Sequence, residues 1–389
     1  MDIRITPKKL SGAVTPPPSK SMAHRFLLAM LLSGQEGTIS NLSDSQDIRA
    51  TQRCVAALKS VQPGQLPHLD CGESGSTLRF LIPIALALTG GGHFTGQGRL
   101  MERPQQPYFD IFEEKGISYS LQDGVLTVEG LLVPGTYSLP GNVSSQFVTG
   151  LLYALPLLKG DSEIRITSPL ESRGYVDMTL DTLKTFGVEV ENLDYTCFRI
   201  PGNQTYQAQD VTIEADWSQA AFWYAANFLD NPVDVQGMNA YSVQGDMIVA
   251  KYYWLLARPG ETVEIDLSGC PDLLPPLAVM AAVRSGTTHF TNAARLRIKE
   301  SDRLATVHQM LTALGGQVKE GPDRLTVIGG SLTGGTVIGA NDHRIVMAAA
   351  IAATACTGPV TILGAEAVSK SYPDFFDVYR QLGGDIHVL

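Results

Sequence analysis

The chain has 389 residues, 44% hydrophobic and 17% charged, with 39 acidic side chains against 29 basic and a formal charge of −10. That length supports two domains with full cores, and the acidic surplus excludes a nucleic-acid binder, which needs an excess of Lys and Arg. An anionic small ligand remains open only where basic side chains are gathered locally.

MDIRITP opens as a strand, with no basic-then-apolar leader; a cytoplasmic protein is expected. Three prolines then stiffen the chain before Ser19-Lys20-Ser21, and MAHRFLLAMLL continues as an apolar helix. The same pattern of a short polar opening and an apolar helix recurs at GESGSTLRFLIPIALALTG, NVSSQFVTGLLYALPLLKG, ADWSQAAFWYAANFLD, CPDLLPPLAVMAAVRSG and NDHRIVMAAAIAATACTG. The longest apolar runs fall short of the ~20 residues that span a bilayer. Most copies are followed by a β-rich run such as GTTHFTNA or GPVTILGA, then by a second helix often opened by Asp, as in SDRLATVHQMLTALGG.

With anchors at Ser19, Glu73, Val143, Asp216, Cys270 and Asn341, the last three follow the first three by roughly 197 residues. The chain therefore reads as six units in two equivalent halves, each unit an α/β element around a helix apolar nearly all round. The first domain is expected over 20–214. The second takes residues 1–19, including the strand IRITP, plus 215–389, with crossovers near 18–21 and 213–216. The cysteines Cys54, Cys71, Cys197, Cys270 and Cys356 form no CxxC pair and the histidines no HExxH spacing, so neither disulfides nor zinc are expected.

Basic and hydroxyl side chains concentrate at the openings of the apolar helices and in the connections: Lys20, Arg25, Arg79, Ser144, Ser145 and Arg344, with Arg99, Arg103, Ser172, Tyr175, Lys299, Arg303 and Lys370. Helix N-termini attract anions, and a cation placed there opposes the dipole. Their recurrence at equivalent places therefore points to a multi-anion site. Asp272 and Glu300 stand among these cations, where a carboxylate stays ionised and can serve as acid or base.

In register, SKSMAHR, ESGSTLR, GRLMERP, VSSQF, ESRGYVDMT, VQGD, LRIKESDRL, NDHRIVMA and KSYPDFF resemble the 5-enolpyruvylshikimate-3-phosphate synthase family from end to end. The resemblance implies a two-domain inside-out α/β barrel, three βαβαββ units per domain, with helix N-termini facing an interdomain cleft. It implies transfer of the enolpyruvyl group of phosphoenolpyruvate to the 5-hydroxyl of shikimate 3-phosphate with release of phosphate. By the same resemblance Lys20, Gly75, Arg99, Gln146, Arg303, Arg344 and Lys370 would hold phosphoenolpyruvate, Gly75 by leaving space for it. Lys20, Ser21, Arg25, Ser144, Ser145, Gln146, Ser172, Tyr175, Asp272 and Lys299 would hold shikimate 3-phosphate. Asp272 would take the hydroxyl proton, Glu300 would exchange a proton with the methylene carbon, and Lys20 completes the catalytic set. No metal or organic cofactor is implied, and the protein is expected to be a monomer without nucleic-acid or membrane partners.

Three positions depart from the family pattern: Glu73 where many members have Asn, Arg295 where some have Asn, and Phe80 where Pro is frequent. Glu73 should repel phosphoenolpyruvate unless it is paired, with Arg79 as a candidate. Two other functions share the fold or the cleft. A UDP-N-acetylglucosamine enolpyruvyl transferase usually carries Lys-Asn at the first helix and a Cys in the loop here written GQGRLMERP. A non-catalytic phosphometabolite-binding protein would not need Asp272 and Glu300.

Overall fold

The computed structural model describes Met1–Leu389. The chain divides into two compact units, a continuous one over Lys20–Ile213 and a split one made of Met1–Ser19 with Glu214–Leu389. Glu214 belongs to the split unit, where its carbonyl accepts from Ser19 N at 2.8 Å. There Pro18 bridges Ala215, and Asp216 N donates to the Pro17 carbonyl at 2.9 Å. Prolines 17 and 18 have no N–H, so they can only accept in this contact.

The continuous unit contains six helices: α1 (Lys20–Ser33), α2 (Gln46–Ser60), α3 (Gly75–Thr89), α4 (Gln106–Lys115), α5 (Ser145–Ala154) and α6 (Arg173–Thr185). The split unit contains α7 (Trp217–Phe228), α8 (Val249–Leu256), α9 (Leu274–Val283), α10 (Arg303–Ala313), α11 (His343–Ala353) and α12 (Phe375–Gln381). Odd-numbered helices are the apolar ones. In α11 all eleven residues are buried, and in α9 nine of ten. Even-numbered helices are two-sided; α2 buries Ile48, Ala50, Thr51, Cys54 and Leu58, an i, i+3, i+4 stripe. Each unit closes around its own hydrophobic core.

Each unit has two four-stranded sheets and one two-stranded sheet. The four-stranded sheets are mixed: Val263–Asp266 runs parallel to Thr287–Thr291, which pairs antiparallel with Leu325–Ile328. Ile3–Thr6 lies between Val360–Leu363 and Asp385–Val388, with Ile3 and Ile5 buried and Arg4 and Thr6 exposed. The first repeat of each half is shorter than three full βαβαββ units require. Its sheet is a parallel pair completed from far along the chain: Ile39–Ser40 with Val211–Thr212, and Gly12–Val14 with Val233–Val235. No helix is long and apolar enough to cross a membrane.

Candidate active site

In the continuous unit the site residues stand at the starts of α1, α3, α5 and α6. Ser74 caps α3 by accepting from Thr77 N, and Ser144 caps α5 by accepting from Gln146 N. Either hydroxyl satisfies an amide that would otherwise be orphaned. Ser172 begins α6 with φ +54°, a left-handed backbone that is costly for a residue with a Cβ.

Arg25 ties α1 to α6: Nη1 donates to the Ser21 carbonyl at 2.7 Å, Nη2 to the Tyr175 carbonyl at 2.7 Å and Nε to Thr179 Oγ1 at 3.0 Å. Burial lowers its pKa to about 10, which leaves it charged at neutral pH. Gln146 ties α5 to α3, accepting from Arg79 Nη1 at 2.8 Å and donating to Ser76 Oγ at 3.0 Å. Lys20 pairs with Asp47 of α2 at 2.7 Å. These contacts tie the start of α1 to α6 through Arg25, the start of α5 to α3 through Gln146, and Lys20 to α2.

The loop GQGRLMERP places its two arginines differently. Arg99 is half exposed and faces Glu102 at 3.8 Å. Arg103 is buried, and a Cβ on Gly75 would meet its guanidinium at 2.6 to 3.1 Å. The space that Gly75 leaves is therefore space for Arg103, and Arg103 rather than Arg99 supplies the cation beside it. The sequence carries both arginines in one loop; the turn at Leu100–Glu102 decides which faces inward. Glu73 lies against Gly98, where a Cβ would come within 2.7 Å of its Oε2. Arg79 donates to Gln146 and to the Pro104 carbonyl at 3.0 Å.

In the split unit the chemistry-bearing groups form one network centred on Arg303, which is 1% exposed at the start of α10. Its Nη1 meets Asp272 Oδ1 at 2.7 Å, Nη2 meets Glu300 Oε2 at 2.6 Å, and Nε meets Asp342 Oδ2 at 2.8 Å. Burial opposes this charge, but Asp342, Glu300 and Asp272 together hold its pKa well above the usual value. Asp272 also receives Lys299 and Arg344, each at 3.3 Å. Burial pulls the Lys299 ammonium down, against Asp272. Asp342, completely buried, caps α11 through Arg344 N at 3.0 Å.

Lys370 donates to the carbonyl of Asn341 at 2.6 Å. Ala340 and Asn341 both have left-handed φ, +51° and +52°, so the turn into α11 is strained where it presents this group. Asp246, from the VQGD stretch, is buried; burial first and the Asp272 charge second push its pKa to about 6. Arg295 is buried and donates to the Ser268 carbonyl at 2.5 Å. The structure thus gathers Asp272, Lys299, Glu300, Arg303 and Arg344, with Lys370 at the adjoining turn. Asp342 and Asp47, the carboxylates that hold Arg303 and Lys20, were not among the expected residues.

Two solved EPSP synthase structures from Acinetobacter baumannii superpose over all of this chain, with TM-scores of 0.80 and 0.79 at 22% identity. The enolpyruvyl transferase NikO from Streptomyces tendae superposes over 99% of it with a TM-score of 0.78 at 19% identity. The fold is the mixed α/β fold of these enzymes. The family model for EPSP synthase (3-phosphoshikimate 1-carboxyvinyltransferase) matches residues 5–379. Proteins named 3-phosphoshikimate 1-carboxyvinyltransferase from Clostridium acetobutylicum and Clostridium kluyveri are 44% and 45% identical, each match covering 99% of this chain and 98% of the relative. This chain belongs to the EPSP synthase family.

Proposed function

We propose that the two half-sites divide one reaction, the transfer of the enolpyruvyl group of phosphoenolpyruvate to the 5-hydroxyl of shikimate 3-phosphate with release of phosphate. Family membership over the full length supports the reaction, which belongs to the shikimate pathway toward chorismate and aromatic amino acids. The observation that carries the division of roles is that Asp272 and Glu300 share one buried arginine.

In this reading Lys20, Ser21, Arg25, Ser144, Ser145, Gln146, Ser172 and Tyr175 hold shikimate 3-phosphate. Gly75 and Arg103 seat phosphoenolpyruvate in the continuous unit, and Arg303, Arg344 and Lys370 hold its phosphate and carboxylate in the split unit. The incoming anion competes with Asp272 for Arg303, Arg344 and Lys299. A carboxylate that shares its cations with a second anion gains proton affinity. Asp272 then removes the 5-hydroxyl proton as the oxygen bonds to the central carbon of phosphoenolpyruvate. Glu300 donates a proton to the methylene carbon, which gives a tetrahedral intermediate. Loss of phosphate and return of that proton from the methyl group to Glu300 restore the double bond. General acid and base groups of this kind contribute about 10²–10⁴-fold each. Holding the hydroxyl against the carbon contributes a further ~7–11 kcal/mol.

Phosphate release from phosphoenolpyruvate, measured with shikimate 3-phosphate and in parallel with UDP-N-acetylglucosamine, tests the reading. Release only with shikimate 3-phosphate is expected. Release only with the sugar nucleotide, or none with either, overturns it. The reading extends to a cytoplasmic monomer, and a sedimentation mass of twice the chain would contradict that part.

A further inference from the structure

Between α1, α2 and α3 runs a chain of buried polar side chains that the proposed reaction does not use. His24 Nδ1 lies 2.7 Å from Thr51 Oγ1, Thr51 Oγ1 lies 2.7 Å from Thr77 Oγ1, and Thr77 Oγ1 donates to Ser74 Oγ at 2.7 Å. All four residues are 0–1% exposed.

Its direction follows from the last link. A threonine hydroxyl has one hydrogen. Thr77 gives its hydrogen to Ser74, so it accepts from Thr51; Thr51 gives its hydrogen to Thr77 at 2.7 Å in preference to the Asp47 carbonyl at 3.5 Å, so it accepts from His24. His24 therefore carries its hydrogen on Nδ1. It is also neutral, because burial, aided by the Lys20 and Arg25 charges, lowers its pKa well below the usual value. At the far end Ser74 Oγ also accepts Thr77 N at 3.2 Å, and Gly75 is the next residue. A second tie runs alongside: the Arg25 guanidinium sits 5.3 Å from the centre of the Phe80 ring, and the His24 ring stands edge-on to Phe80 at 6.5 Å.

We infer that Thr51, with His24 and Thr77, is a positioning residue for phosphoenolpyruvate. The chain fixes the start of α3, and so Gly75 and the Arg103 guanidinium against it, relative to Lys20 at the start of α1. The inference rests on the reading of Gly75 and Arg103 as the phosphoenolpyruvate seat. Ser74 alone caps α3 but anchors it to nothing outside itself. Thr51 gives that cap its hydrogen-bonded link to the helix bearing Lys20 and Arg25. Misplacement of such a seat by about 1 Å costs on the order of 10²-fold, and a partial slip costs less.

Thr51→Val keeps the shape and removes the hydroxyl; Thr51→Ser keeps the hydroxyl. Steady-state kinetics should show KM for phosphoenolpyruvate raised about tenfold in Thr51→Val, with KM for shikimate 3-phosphate within about twofold and near-normal values restored in Thr51→Ser. Gly75→Ala separates the two levels of the argument. If it raises KM for phosphoenolpyruvate while Thr51→Val does not, the positioning role is wrong and the seat stands. If Gly75→Ala changes nothing, the seat itself is wrong. Equal changes in both KM values, or a fall in melting temperature with unchanged kinetics, also overturn the positioning role. Thr77→Val breaks the same chain from the α3 side and decides the matter if Thr51→Val fails to fold.

Discussion

The two units carry equivalent helices, yet their buried arginines Arg25 and Arg303 are held in opposite ways. In the continuous unit Arg25 is held by two backbone carbonyls and a threonine hydroxyl. Arg79 is held by an amide oxygen and a carbonyl. In the split unit Arg303 touches three carboxylates, and one of them, Asp272, touches two further cations. Neutral acceptors leave Arg25 its positive charge, which suits a surface that must hold an anion. Carboxylates among fixed cations leave groups that can accept and return protons, which suits the chemical step. On the proposed roles, the choice of acceptor is what distinguishes a binding arginine from a reacting network on equivalent scaffolds.

Substitutions can break this comparison. The largest effect is expected at Asp272: Asp272→Asn should lower kcat by about 10²–10⁴-fold, read by phosphate release under saturating substrates. Next come paired deletions. Arg303→Met strands the fully buried Asp342, removes a cation from Glu300 and leaves Asp272 only Lys299 and Arg344, and should cost about 3–5 kcal/mol of unfolding free energy. Arg25→Met leaves only neutral acceptors behind and should cost about 1–3 kcal/mol. Urea denaturation of both variants compares them directly, and equal losses would erase the distinction.

Arg103→Ala should raise KM for phosphoenolpyruvate by about 10–100-fold, the worth of a hydrogen bond to a charged group. Arg99→Ala should leave it within about twofold. A smaller effect sharpens the contrast on the binding side. His24 has a folded pKa well below its unfolded value near 6.5, so below that pH the unfolded chain binds more protons. Its contribution to stability is therefore present above pH ~6.5 and declines as the pH falls. Thermal melts from pH 8 to pH 5 should show a steeper loss in the parent protein than in His24→Asn.

Much of this arrangement was legible in the sequence, for identifiable reasons. The six apolar helices announce themselves because a helix buried all round has no polar stripe, and α9 and α11 retain that character from end to end. Glu300 and Arg303 were legible as chemistry because carboxylates and cations alternate over residues 297–303, and Asp272 because it opens an apolar helix. Their ion-pair partners were not. Asp47 lies 27 residues from Lys20, and Asp342 lies 39 from Arg303, so only the fold brings them together. Arg99 and Arg103 could not be separated by composition, since a single 3-10 turn sets which points to Gly75. The hydroxyl chain through Thr51 was hidden for a similar reason: threonines on a half-buried helix face read as ordinary packing.

The division of labour is tested most directly by the affinity of Glu300→Gln for shikimate 3-phosphate, measured by titration calorimetry beside its turnover. The account predicts a dissociation constant within about threefold of the parent, with turnover lower by about 10²-fold or more. A loss of affinity as large as the loss of turnover would contradict it, because Glu300 would then belong to the binding surface.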